Sequence, residues 1–175
     1  FMKDKVIIIT GASSGIGKAC ALEFSKKGAK LVLASRSEDK LKILCDQIND
    51  HHSFKHNFGE FKKAFFYVTD VSNELDCKKM VEFAIEKFGK IDVLVNNAGI
   101  SMRAIFKDIN LQVFEKIMKI NFYGAVYCTK YALPYILRNQ GSVVGVSSIA
   151  GYKGLPGRTA YSASKFALQG FLEAL

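Results

Sequence analysis

Apolar residues fall into two textures along this chain. Residues 5–10, 31–34, 64–69, 91–95 and 141–147 are short, mostly apolar runs rich in valine, isoleucine, leucine and phenylalanine. Runs of that length suit strands buried on both faces of a parallel sheet. Between them the apolar positions spread to a spacing of three and four. Residues 18–24, 37–49 (through Leu41, Leu44 and Ile48), 74–88, 111–137 and the segment from about Tyr161 toward Leu175 therefore read as helices. Gly28 and Gly89 stand where two of these should stop, and Ser37 where one should be capped; Gly124 and Pro134 interrupt the longest. The polar stretch 51–60 and the glycine- and proline-bearing stretch 151–158 read as loops. Alternating strands and helices imply right-handed crossovers and an α/β fold, a doubly wound parallel sheet with helices on both faces. No repeat, low-complexity tract or linker divides residues 1–175, so one domain is expected.

Chemistry enters at the turn after the first strand, Gly11-Ala12-Ser13-Ser14-Gly15-Ile16-Gly17. Glycines at 11, 15 and 17 remove side chains where a turn is tight and where backbone must approach a pyrophosphate. The helix that follows offers free N–H groups and the positive end of its dipole. The spacing differs from the G-x-G-x-x-G of many dinucleotide folds, but strand, glycine turn and helix in that order point to nucleotide phosphate. At the end of the second strand, where an NAD-binding unit carries an acidic residue for the ribose 2'-hydroxyl, stand Ser35 and Arg36. No carboxylate is there to repel a 2'-phosphate, and Arg36 is suited to pair with one, so NADP(H) is favoured over NAD(H). A solvated loop arginine is the alternative.

Toward the other end, Tyr161-Ser162-Ala163-Ser164-Lys165 places a phenol and an ammonium four apart, on one helix face. A positive charge there favours the phenolate and draws a tyrosine pKa down from about 10, toward where a proton donor or acceptor works. Ser148 lies thirteen positions before the tyrosine, at the end of the fifth strand. Ligands of open parallel sheets bind at such carboxyl ends. Asn121 sits inside the long helical pattern, where an amide is a poor helix former. A local kink with the side chain holding a water, or a satisfied packing amide, are the two accounts of it. Asp70-Val71 follows the third strand and Asn96-Asn97-Ala98-Gly99 the fourth; Asp70 or Ser72 also suits a helix N-cap.

Residues 10–17, Asp70-Val71, 96–99, Asn121, Ser148, Tyr161 and Lys165 together resemble the motif set of the short-chain dehydrogenase/reductase family, in its order and over nearly the whole chain. The resemblance implies a Rossmann-type fold and an enzyme that interconverts a carbonyl and an alcohol by hydride transfer. By similarity, Tyr161 gives or takes the proton, Ser148 orients the reacting oxygen, Lys165 assists the tyrosine and holds the nicotinamide ribose, and Asn121 supports a water relay. The implied cofactor contacts are Gly11, Ser13, Ser14, Gly15, Ile16, Gly17, Arg36, Asp70, Val71, Asn97, Ala98, Gly99, Tyr161 and Lys165. A small-molecule or acyl substrate is expected. So is a homo-oligomer, dimer or tetramer, because the helices holding Asn121 and Tyr161 form subunit contacts in the family. Family members continue past the active-site helix into a substrate lid and further sheet, so a C-terminal part is expected to be missing here. A catalytically silent nucleotide-binding or regulatory module of the same fold is the alternative function.

Composition changes this picture little. With 49% hydrophobic and 23% charged residues the chain is an ordinary globular one. A net charge of +9 favours anionic partners. The lysines are scattered, without a basic run interleaved with aromatics, so a phosphorylated cofactor fits better than nucleic acid; a charge-driven binder of anionic lipid or DNA is the third function considered. No apolar run approaches the roughly 18 residues that span a bilayer, and a cytoplasmic location is expected, the Phe1-Met2 start leaving an upstream anchor open. Cys20, Cys45, Cys77 and Cys128 are far apart, as expected of bystander thiols in a reducing compartment. His51, His52 and His56 cluster without a fitting carboxylate or cysteine, so a solvated loop and no metal site are expected.

Overall fold

The computed structural model describes residues 2–53 and 62–175, the side chains of 51–53 excepted. Strands β1 (Val6–Thr10), β2 (Lys30–Ser35), β3 (Ala64–Val68), β4 (Val93–Asn96) and β5 (Ser142–Gly145) form one parallel sheet in the order β3-β2-β1-β4-β5. Helices α1 (Gly15–Lys26), α2 (Glu38–Ser53), α3 (Glu74–Phe88), α4 (Leu111–Met118), α5 (Gly124–Arg138) and α6 (Thr159–Ala174) flank it. This is the expected Rossmann-type α/β sheet.

Both layers meet on β1, where residues 6–9 are fully buried. Side chains alternate between the faces of a strand, and here both faces are covered. Ile7 and Ile9 join Leu31 and Leu33 in a core with Ala21, Leu41, Leu44 and Ile48 of α1 and α2. Ile8 goes to the opposite core, with Val32, Leu94, Met80, Ala84, Cys128 and Ala132. Each such side chain contributes about 1.5–3 kcal/mol by burial, so an unbroken apolar run is what this position requires. The chain winds outward from β1 to β3 on one side, then returns to β4 and β5 on the other. That reversal opens a crevice at the carboxyl ends of β1 and β4.

Several element ends differ from expectation. α3 is capped by Asn73, whose side chain accepts from the N–H groups of Leu75 and Asp76, so neither Asp70 nor Ser72 is its cap. Gly89, at φ 72°, ends it as expected. α2 continues to Ser53, into the stretch 51–60 that reads as a loop. Apolar periodicity marks only turns that touch a core, and no apolar residue lies between Ile48 and Ser53 to mark the last one. His56 and the side chains of His51 and His52 lie outside the described residues. The 111–137 pattern is broken by a π-helical turn, Lys119–Tyr123, between α4 and α5, whereas Pro134 lies within α5. Cys45, Cys77 and Cys128 are buried, Cys20 is half-buried, and all are free. No helix among the described residues is long and apolar enough to cross a membrane.

β4 begins at Val93 rather than at 91 because Asp92 has another task. Its carboxylate, 3% exposed, accepts from the Val6 N–H at 2.8 Å and pairs with Lys5 and Lys90, each at 2.9 Å. The starts of β1 and β4 are thereby tied together. Burial works to raise the Asp92 pKa, but the Val6 N–H and the two lysines outweigh it and hold the carboxyl below the usual carboxylate range. A carboxyl lowered by folding contributes stability that is full above its unfolded pKa and lost as pH falls through the folded value. Asp92→Asn is expected to cost about 2 kcal/mol at neutral pH. In urea unfolding, the gap between native and variant midpoints should narrow once the pH drops below about 4; a gap independent of pH would contradict the linkage.

Candidate functional site

The carboxyl ends of β1 and β4 border a cleft of about 450 Å3. Thr10 and Asn97 fix its floor. The Thr10 hydroxyl accepts from the N–H groups of Asn97 at 3.0 Å and Ala98 at 3.1 Å, while Asn97 Nδ2 donates to the carbonyls of Thr10 at 2.9 Å and Gly11 at 3.2 Å. These bonds draw the backbones so close that two glycines have no room for a side chain. A Cβ on Gly17 would lie 2.5 Å from the Gly11 oxygen and 2.6 Å from Asn97 Nδ2; one on Gly11 would lie 2.9 Å from the Ala98 Cα. Gly15 differs, for nothing lies within 4 Å of its Cβ position, and it is its φ of 53° that favours glycine. Ser14 precedes α1 without a side-chain capping bond, and the first turn holds no acidic residue. The unpaired N–H groups and positive dipole of α1 are therefore left to the cleft.

Arg36, exposed after β2, and Asp70, after β3, line one end of the cleft. Asp70 Oδ1 accepts from the Ser72 N–H at 2.9 Å and the Ser72 hydroxyl at 2.7 Å. Burial pushes its pKa up, but those bonds, with the charges of Arg36 and Lys116, hold it below the usual carboxylate range.

Tyr161 and Lys165 line the other end from consecutive turns of α6. Lys165 is 5% exposed; its Nζ donates to the Val146 carbonyl at 2.6 Å and lies 5.8 Å from the Tyr161 ring centre. Burial lowers the Lys165 pKa. Asn121 stands behind this end, in the π-helical turn. Its Oδ1 accepts from the Ile100 N–H at 2.8 Å, and its Nδ2 donates to the Ile100 carbonyl at 2.9 Å and the Ser164 hydroxyl at 3.0 Å. Both amide hydrogens are spent on protein, so the packing account fits the side chain and the kink fits the backbone. Ser148 caps the short 3-10 turn Ile149–Gly151 by accepting from the Ala150 N–H at 3.2 Å. The cleft wall beside it is formed by Val146 and Ser147, and the buried Ser147 hydroxyl lacks a hydrogen-bond partner among the described residues.

One cleft thus collects Gly11, Ser13, Ser14, Gly15, Ile16, Arg36, Asp70, Val71, Asn97, Ala98, Gly99, Tyr161 and Lys165. Gly17, Asn121 and Ser148 lie outside its lining. Ile100, Ser101 and Ile120 also line it, beyond the residues the sequence predicts. No local signal marks the first two, and the awkward amide at Asn121 was the only hint of the turn that brings Ile120 in. A dinucleotide fits this lining. Its volume is in the range of about 300–1,000 Å3 usual for ligand pockets. Backbone N–H groups at the start of α1 are suited to phosphates, a guanidinium stands at one end, and the buried Lys165 ammonium, bonded among the described residues to the Val146 carbonyl alone, stands at the other.

The family model for short chain dehydrogenase matches residues 5–175, and the chain belongs to that family of oxidoreductases. Among its relatives, it is 42% identical over 172 residues to 11-beta-hydroxysteroid dehydrogenase-like 2 of Arabidopsis thaliana, covering 98% of this chain and 53% of that protein. The chain spans about half the length of several curated relatives it matches. An alcohol dehydrogenase from the archaeon Thermococcus sibiricus, complexed with 5-hydroxy-NADP, matches with a TM-score of 0.90 at 26% identity, over 98% of this chain and 70% of that one. A short chain dehydrogenase/reductase from Burkholderia phymatum, in complex with NAD, also gives 0.90, at 28% identity over 99% of this chain and 59% of that one.

The two glycines make a direct comparison. Gly17→Ala drives a methyl into backbone that cannot give and is expected to cost about 3 kcal/mol, whereas Gly15→Ala has space and should cost only about 1 kcal/mol of backbone strain. Denaturant unfolding of both variants measures the order; equal losses would contradict the close approach of Gly17 to Gly11 and Asn97.

Proposed function

We propose that the whole protein is an NADP-dependent oxidoreductase that interconverts a carbonyl and an alcohol at a site formed by Ser148, Tyr161 and Lys165 and supported by Asn121. The observation that carries this reading is Lys165. A buried ammonium is costly unless its three donors find partners, and the described residues supply one, the Val146 carbonyl. Partners for the rest would come from the cleft, which suits the hydroxyls of a nicotinamide ribose. The absence of a carboxylate at Ser35, together with the exposed guanidinium of Arg36, supports NADP over NAD. The remaining cofactor contacts would be those of the glycine turn, Asp70-Val71 and residues 97–99.

A bound nicotinamide supplies or accepts the hydride. Tyr161 moves the proton, giving it to the carbonyl oxygen in reduction and taking it from the alcohol in oxidation. Lys165 keeps positive charge beside the phenol in both directions. Ser148 Oγ accepts from the Ala150 N–H, leaving its own hydrogen to donate to the reacting oxygen. Asn121 holds the Ile100 loop against α6, and the altered backbone bonding of its π-helical turn offers partners to a water chain that returns protons to Lys165.

Tyr161→Phe removes the proton carrier and little else. In the full-length protein turnover of a carbonyl substrate should fall about a hundredfold or more, with NADPH affinity nearly unchanged in a binding titration. Undiminished turnover would overturn the assignment.

A further inference from the structure

A smaller hollow of about 230 Å3 opens beside the main cleft and shares Arg36, Asp70 and Ile120 with it. Its other wall comes from α4 and the π-helical turn and includes Glu115, Lys116 and Lys119. Lys116 and Lys119 are three apart and share a helix face. Among the described residues neither ammonium group makes a hydrogen bond or ion pair.

Arg36 does not stand alone: the Asp70 carboxylate is near enough that Arg36 and Lys116 both help to keep it ionised. A phosphate monoester carries about two negative charges at neutral pH. Arg36 with Asp70 presents such a group with no net charge, so on its own this pair cannot account for a strong preference. The two lysines change the balance, because the hollow then holds three cations against the two carboxylates of Asp70 and Glu115.

Resting on the NADP reading above, we propose that Lys116 and Lys119 act with Arg36 as specificity-determining residues for the ribose 2'-phosphate. The phosphate is met by Arg36 from the β2 side and by the two lysines from the α4 side. Glu115, in the same wall, opposes it.

The test compares 2',5'-ADP with 5'-AMP, which differ only in the 2'-phosphate, by calorimetric titration of the full-length protein. For Lys116→Gln/Lys119→Gln, 2',5'-ADP should bind about five- to tenfold more weakly, as for the loss of two exposed ion pairs, and 5'-AMP should be nearly unaffected. Glu115→Gln should bind 2',5'-ADP about twofold more tightly, a gain that misfolding cannot produce. An unchanged ratio of the two ligands in the double variant would overturn the inference. If Arg36→Asp removes the preference in that same series, the NADP reading survives its failure. Equal binding of 2',5'-ADP and 5'-AMP by the native protein would overturn both.

Discussion

The carboxamide of Asn97, bonded to the carbonyls of Thr10 and Gly11, is the contact on which the cleft depends. The chain leaves β1 toward one edge of the sheet and β4 toward the other, and this amide holds the two departures together. Close approach then excludes side chains at Gly11 and Gly17 and brings the start of α1 to the crevice. At the opposite ends of the same strands, Asp92 makes an equivalent tie with charge. Two polar ties are needed because apolar burial alone does not choose a register here. β1 is buried on both faces, so a slip by one residue would exchange one isoleucine for another with little penalty. The polar groups at its ends supply the penalty.

The cleft that results is graded in character along its length. Backbone N–H groups of the glycine turn and the dipole of α1 are suited to phosphate. Exposed cations beside Arg36 make one end electropositive. The other end holds a buried ammonium, a phenol and small hydroxyls. An extended anionic ligand with a polar, reactive far end is the kind of molecule this gradient accommodates, and a chain of net charge +9 adds a general attraction for it.

What was legible in the sequence was local in the chain. The runs of β1, β2 and β4 announced themselves because both faces are apolar, and residues 11–17 because turn, phosphate contact and helix start occupy seven consecutive positions. Tyr161 and Lys165 were legible because helix geometry fixes their relation. Asn97 was marked by its place directly after a buried strand, where an amide can hold a neighbouring strand, as it holds Thr10. The rest depends on partners far away. Asp92 meets Val6 across 86 positions and leaves no nearby mark. The π-helical turn keeps a helical apolar pattern while shifting which residues face the cleft, so Ile120 and Lys119 came into place unannounced. Which of Ser147 and Ser148 lines the cleft is set by where β5 ends and the 3-10 turn begins, a boundary that composition does not mark.

Binding of the nicotinamide nucleotides themselves tests the central claim most directly. Titrating the full-length protein into NADPH and into NADH, and following the fluorescence of the nucleotide at its own emission, reads the binding of each. Both nucleotides should bind saturably, with NADPH the tighter. Absence of saturable binding to either nucleotide would contradict the assignment of the cleft between β1 and β4 as a dinucleotide site.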